Sequence, residues 1–284
     1  MVSNELRWFG KVLSPDFDEV MGVVLSDLHY GNPTCSIKHF IRAVDFIARK
    51  DNCVCWLAGD LLEAVTKQSK GDIYTQTLTP QQQRDEVLDL LYPIKDKILG
   101  MITGNHEARI YNETGVDLSA DMANALGVPY RPEGMLYKLS YGKGNSYHMD
   151  KPFVYWGYIN HGYGGARTKA AKAVKVERVG NWLPRCDFLS MSHDHVVNVA
   201  PDIDFIPDNR GTIDSRTGFL SGAIIAHRKM LIKTNAYLKW GGYAEIGGFP
   251  PSDLATPLIW FVNPLSPFWN NNPNKPLQAV KIDV

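Results

Sequence analysis

The chain has 284 residues, 44% of them apolar and 21% charged, with 30 basic and 30 acidic side chains. That composition supports a globular protein with a substantial core. It argues against a strongly basic duplex-DNA binder, and four cysteines (Cys35, Cys53, Cys55 and Cys186) in a chain this long exclude a disulfide-stapled scaffold. No apolar run approaches 18 residues, so no membrane-spanning helix is expected, and residues 1–19 lack the apolar segment of a signal peptide. The expected setting is a reducing cytoplasm.

In chain order, residues 21–25 read as a short buried strand. Apolar residues at Ile37, Phe40, Ile41, Val44, Phe46 and Ile47 give a helical spacing over 36–50, with Ser36 as N-cap. A second strand follows at 53–57, where Cys53 and Cys55 read as reduced core thiols. Residues 63–79 have no period and read as a long loop. A helix is expected over 80–97, bent or broken near Pro93, then a strand at 98–103 and a helix at 117–126 that stops at Gly127. Strands are expected at 135–141 and 153–159, an Ala/Lys-rich helix at 166–179, and further strands at 186–191, 196–199, 218–225 and 230–232. After about residue 241 the composition turns to Gly, Pro, Asn and aromatics. Alternating strands and helices followed mostly by strands predict an α/β core with a β-rich completion. The expected organisation is one catalytic domain over 1–240 and an extension over 241–284 that packs on the domain or on a partner subunit.

The chemistry-bearing residues fall at strand ends. Asp27 and His29 follow the first strand and Asp60 the second. Asn105, His106 and Glu107 follow the third. His161 ends the 153–159 strand, and His193 and His195 follow the 186–191 strand. Ligands gather at the carboxyl ends of strands in open α/β sheets. Asp27/His29 and His193/His195 are i, i+2 pairs, which in extended chain point to one side and can each clamp an ion. Asp27, His29, Asp60, Asn105, His161, His193 and His195 are too many ligands for one tetrahedral ion. They suit two divalent ions sharing a carboxylate, with imidazole, carboxylate and amide donors appropriate to Mn, Fe, Zn or Ni. Two such ions can hold a bridging hydroxide and grip a phosphoryl group, which leaves His106 as general acid or phosphate stabiliser.

The order D-x-H, G-D, G-N-H-(D/E), H, G-H-x-H resembles the calcineurin-like metallophosphoesterase superfamily. Here it is carried by Asp27-x-His29, Gly59-Asp60, Gly104-Asn105-His106-Glu107, His161 and Ser192-His193-Asp194-His195. The resemblance covers roughly the first 200 residues and departs at Ser192, where the family usually has glycine. It implies a four-layer α/β/β/α sandwich of two mixed sheets. It also implies that Asp27, His29 and His195 bind a first metal, that Asn105, His161 and His193 bind a second, and that Asp60 bridges them, with Mn2+ favoured. The implied activity is hydrolysis of phosphomonoesters or phosphodiesters. A nuclease of the same superfamily is the enzymatic alternative, and a non-hydrolytic metal-binding scaffold is the alternative from another class. The partner is then a phosphate ester; nucleic acid is not indicated by the charge, nor is a membrane, and the oligomeric state is open.

Other residues read more plainly. Arg109 is either a phosphate clamp or a loop ion pair. Glu107 orients loop groups. Asp194 is either an acceptor for a ligand histidine or a solvent-facing acid. Lys169, Lys172, Lys175 and Arg178 read as a solvated helix face. His148 and His227 are the alternatives to His161. Tyr30, Tyr74 and Tyr163 are cleft-lining or packing aromatics. The 63–79 loop is expected to overhang the site and set substrate choice.

Overall fold

A computed structural model describes residues 7–69, 73–144, 150–251, 253–272 and 280–283. Its elements, in chain order, are β1 (Trp8–Val12), β2 (Glu19–Leu25), α1 (Ile37–Arg49), β3 (Cys53–Ala58), α2 (Pro80–Leu91), β4 (Ile98–Ile102), α3 (Asn105–Thr114), α4 (Leu118–Leu126), β5 (Met135–Tyr141), β6 (Phe153–Asn160), α5 (Lys169–Gly180), β7 (Phe188–Met191), β8 (Asn198–Ile213), β9 (Leu220–Lys233), β10 (Leu258–Val262) and β11 (Val280–Asp283). A 3-10 turn over Tyr92–Lys97 takes over where Pro93 cannot continue α2.

Two mixed sheets form the centre. The first runs β11-β10-β2-β3-β4, with β2, β3 and β4 parallel and β10 antiparallel to β2. The second runs β1-β5-β6-β7-β9-β8, with β6, β7 and β9 parallel. β2, β3 and β4 are covered on both faces, which explains their unbroken apolar runs. One face packs against Phe40, Val44 and Ile47 of α1, Val87 and Leu91 of α2, and Met122 of α4. The other meets the second sheet through Val24, Trp56, Tyr137, Phe188 and Phe261. The Trp56 ring lies 5.7 Å from both Tyr137 and Phe188 across the interface and 6.3 Å from Phe261 of its own sheet, so one side chain ties β3 to two strands of the second sheet. The outer face of the second sheet is covered by Val176 and Val179 of α5. The order of layers is therefore α/β/β/α, as the motif resemblance implies.

The C-terminal stretch enters this core directly. β10 sits between β11 and β2, with Ile259 and Phe261 buried. The three strand fragments expected beyond residue 196 are instead one hairpin of β8 and β9, of 16 and 14 residues. Its base is built into the second sheet, where Met230 and Ile232 join the inter-sheet core. Further out, Phe205, Phe219, Leu220 and Ile224 are 69–77% exposed. β1 and α3 were not read from the sequence. α3 buries only Glu107 and Ile110, so it has no apolar stripe to reveal it. No described helix is long and apolar enough to cross a membrane.

Two glycines let the site close. Gly59 has φ +79°, and a Cβ there would stand 2.3 Å from the Gly104 nitrogen; a Cβ on Gly104 would stand 2.1 Å from both the nitrogen and Oδ1 of Asp60. The ends of β3 and β4 thus touch backbone to backbone. Gly59→Ala is expected to lower stability by roughly 2–4 kcal/mol, combining left-handed strain and overpacking. Gly115→Ala, at φ +75° with no atom within 4 Å of the added Cβ, should cost only about 1 kcal/mol. Urea unfolding midpoints of the two variants would check the difference.

Candidate metal centre

The site lies where strands of both sheets end. Asp27 and His29 follow β2, Asp60 follows β3, Asn105 opens α3 just beyond β4, His161 follows β6, and His193 and His195 follow β7. The i, i+2 pairs do not converge by extended geometry, contrary to the sequence reading. Asp27, His29, Asp60, His193 and His195 all have left-handed backbone, with φ of 50°, 50°, 50°, 70° and 53°. Tight turns rather than pleated strand aim these side chains. Each turn is pinned: Asp27 N–H donates to Gly59 O at 3.0 Å, His29 N–H to Asp60 O at 3.0 Å, and His193 N–H to Asp27 Oδ2 at 3.1 Å.

The structure brings all seven sequence-derived ligands together. His195 Nε2 is 3.2 Å from Asp27 Oδ1 and 3.3 Å from His29 Nε2. His29 Nε2 is 3.9 Å from Asp60 Oδ2. Asp60 Oδ2 is 3.0 Å from His161 Nε2, which is 3.2 Å from Asn105 Oδ1. Among the described residues, three groups have ligand atoms within 4.8 Å of one another: Asp27/His29/His195, Asp60/His161/His193 and His29/Asp60/His106. Asp60 Oδ2 lies between the first two groups, 3.9 Å from His29 Nε2 and 3.0 Å from His161 Nε2.

Hydrogen bonds on the outer ring nitrogens fix which way each lone pair points. His161 Nδ1 donates to Ala58 O at 2.8 Å, which turns Nε2 inward. His29 Nδ1 meets Glu63 Oε2 at 3.0 Å, which does the same. His193 is reversed: Nε2 donates to Gly164 O at 2.6 Å, and the buried Nδ1 has no hydrogen-bond partner. Asp27 Oδ1 is likewise buried, and its near polar neighbour is His195 Nε2 at 3.2 Å. Lone pairs of imidazole, carboxylate and amide thus converge, and a cation among them would satisfy the orphaned His193 Nδ1. Oxygen and nitrogen donors without thiolate fit divalent ions of the Mn, Fe, Zn or Ni kind.

Glu107 and Glu63 support the ligands. The buried Glu107 carboxylate accepts from the N–H groups of Asp60 (3.0 Å), Leu62 (2.9 Å) and Gly104 (3.2 Å), tying the turn after β3 to the start of α3. Burial and the nearby Asp60 charge push its pKa up. Glu63 was not singled out in the sequence. Besides holding His29, its carbonyl accepts from His106 Nδ1 at 2.6 Å, and its Oε2 is 3.8 Å from the same nitrogen. His106 N–H donates to Asp60 Oδ1 at 2.9 Å, and the His106 ring lies edge-on to His29 at 4.4 Å. Residues 63–65, read as the start of an overhanging loop, are buried support for the site. Residues 70–72 of that loop lie outside the described residues.

Electrostatics follow from burial. Burial, reinforced by neighbouring histidines, pushes His29 and His193 below the usual imidazole range, so both favour the neutral, ligating form. Burial acts the same way on His161, but the Asp60 carboxylate outweighs it and raises His161 to about 10. The pairing favours the protonated imidazole, whose Nε2 faces Asp60 Oδ2 and Asn105 Oδ1.

Other expectations meet different outcomes. Arg109 donates to Ser69 Oγ at 2.7 Å and lines a groove with Gln68, Asn112 and Glu113. Asp194 is neither a histidine acceptor nor solvent-facing: it is buried and paired with Lys175 at 2.7 Å and Lys233 at 2.6 Å. Lys172 and Lys175, read as a solvated face, are 3% and 8% exposed and point inward. His227 bonds Cys186 O at 3.0 Å, and His148 lies outside the described residues. Ser192 needs no glycine: the left-handed positions are the two histidines, and its buried Oγ accepts from Thr234 Oγ1 at 3.0 Å. Tyr74 and Tyr163 are exposed, and Tyr30 bonds Glu86. All four cysteines are free thiols.

No family model and no curated protein matches this sequence. Among solved structures, a conserved Streptococcus pneumoniae protein described as a predicted phosphoesterase matches at 9% identity, 85% of this chain, 83% of that chain and a TM-score of 0.35. The Pseudomonas putida nuclease MPE matches at 12% identity, 84% and 82% coverage and a TM-score of 0.35. The zinc complex of Entamoeba histolytica Vps29 matches at 9% identity, 93% and 97% coverage and a TM-score of 0.35. The chain resembles the calcineurin-like metallophosphoesterases in the order of its motifs and in the two mixed sheets that carry them.

Two outcomes follow from this arrangement. Because a cation at His161 Nε2 must expel the proton held there, affinity should rise about tenfold per pH unit from pH 7 toward 10 for a one-proton release. Mn2+ titration calorimetry in buffers of different ionisation enthalpy would detect that proton. Glu63→Gln should weaken Mn2+ binding by roughly 10–100-fold, read by the same titration.

Proposed function

We propose that this chain is a phosphoesterase that holds two divalent cations, with Mn2+ favoured, and hydrolyses phosphomonoesters or phosphodiesters. The observation that carries the reading is the convergence of seven nitrogen and oxygen donors from five strand ends around Asp60, with His106 beside them. Asp27, His29 and His195 would hold one ion and Asn105, His161 and His193 the other, with Asp60 shared. Bound there, the ions would supply positive charge for phosphoryl oxygens and bring the pKa of a water from about 15.7 toward 7.

The chain's own residues divide the remaining work. Asp60 is fixed through Oδ1 by the His106 N–H, which leaves Oδ2 for the ions. Glu63 orients His29 through its carboxylate and His106 through its main-chain carbonyl, so one residue couples a ligand to the acid–base group. His106 keeps Nδ1 on the Glu63 carbonyl, which leaves Nε2 to give a proton to the leaving oxygen or to steady the transition state. Asn105, at the start of α3, can present its amide N–H2 to a phosphoryl oxygen while Oδ1 faces the ligand cluster. Arg109 is the further substrate contact expected from its position on the same helix.

The favoured substrate is an ester of modest size. Net charge is zero, and two of the four basic residues that could have formed a surface for a nucleic-acid backbone are turned inward. With Mn2+ loaded, turnover of p-nitrophenyl phosphate or its bis ester is expected; no turnover of either would count against the reading. His106→Ala should lower kcat by about 10²–10⁴-fold with metal content by elemental analysis unchanged.

A further inference from the structure

Three buried lysines meet behind the turn that carries His193 and His195. Lys175 of α5 reaches Asp194 Oδ1 at 2.7 Å, and Lys233, the last residue of β9, reaches Asp194 Oδ2 at 2.6 Å. Lys172, one turn before Lys175, donates to the Asp194 carbonyl at 2.8 Å. Lys233 also donates to the Ser192 carbonyl at 2.8 Å, and Lys175 to the Tyr163 carbonyl at 2.7 Å. The four residues are 0–8% exposed. Three lysine amino groups thus share one hydrogen-bonded carboxylate and three main-chain carbonyls. Burying ionisable groups is costly, so the cluster is poorly explained as a source of stability alone.

We propose that Lys172, Lys175 and Lys233, gathered on Asp194, form an internal cation clamp that presets the His193–His195 turn for metal binding. The proposal rests on the reading of His193 and His195 as ligands. Its geometry is specific to that turn. His193 and His195 both have left-handed backbone, and the residues before and between them, Ser192 and Asp194, have their carbonyls held by ammonium groups. On the other side, His193 N–H donates to Asp27 Oδ2. The turn is thus held between ammonium groups and a ligand carboxylate. Lys175 extends the hold to the neighbouring loop: it binds Tyr163 O, and the next residue, Gly164, accepts the His193 Nε2–H that turns Nδ1 inward. One cluster therefore governs a ligand of each ion, and does so before either ion arrives. These are positioning residues, acting through His193 and His195.

The test is Mn2+ titration calorimetry and the visible absorption of the Co2+-loaded full chain, which reports ligand geometry. Lys175→Met removes one donor and leaves Lys172 and Lys233 in place. Asp194→Asn combined with Lys233→Met removes a charge together with its counter-charge. Both variants are expected to bind Mn2+ about tenfold or more weakly and to shift the Co2+ bands, with metal-free near-ultraviolet circular dichroism and unfolding temperature close to those of the unsubstituted chain. Folded variants with unchanged Mn2+ affinity and Co2+ spectra would overturn the clamp. So would a loss of affinity accompanied by unfolding of the metal-free chain in both variants, which would assign the cluster to structure. If the unsubstituted chain takes up no Mn2+, the metal reading itself fails, and the clamp with it.

Discussion

One carboxylate sets the geometry of the site. Asp60 stands at the end of a central strand, its backbone carried over Gly104 so closely that neither Gly59 nor Gly104 can hold a side chain. Its two oxygens face different partners: Oδ1 takes the His106 N–H, and Oδ2 faces His161 at 3.0 Å and His29 at 3.9 Å. Beneath it, Glu107 holds the N–H groups on both sides of this crossing. Two buried acids so near each other raise the cost of leaving the site uncompensated. The histidines on one side and a proton or cation within are what make the arrangement tolerable.

The charge layout extends that logic outward. Acidic supports, Glu63 and Glu107, lie with the β3–α3 side of the site, and basic supports, Lys175 and Lys233, lie with the β7–β9 side. Each side braces turns whose left-handed residues cost up to about 1–3 kcal/mol apiece. That cost is sustained by hydrogen bonds from buried charged groups, which are the strong kind. The core contributes by rigidity: with Trp56, Phe188 and Phe261 interlocked between the sheets, the strand ends have little freedom to spread.

Much of this was legible in the sequence, for physical reasons. Buried parallel strands are apolar throughout, so the acids, histidines and amide just beyond them stand out, and all seven candidate ligands were read that way. What could not be read depended on spatial partners. Lys172 and Lys175 look like a solvated face because charges prefer water, and only the folded chain places Asp194 within their reach. The i, i+2 pairs were assigned to extended chain because sequence spacing does not report φ. Glu63 sat in a stretch without period, and α3 lacked an apolar stripe. β10 was hidden because its short apolar run follows a Pro- and Gly-rich stretch that reads as an appendage. The β8–β9 hairpin was seen in fragments because Pro201 and Pro207 interrupt β8 and the outer part has no fully buried face.

That outer part also has a dynamic consequence. A strand of 16 residues spans roughly 50 Å at about 3.3 Å per residue, and only its base, beside Met230 and Ile232, is anchored in the inter-sheet core. Beyond the anchor, the ladder between the two strands carries the load with little side-chain burial. Opening there costs far less than unfolding the sandwich. Amide hydrogens near Gly211 and Gly222 should therefore exchange with solvent as a unit of their own, while those of β2 and β3 exchange only when the whole molecule opens.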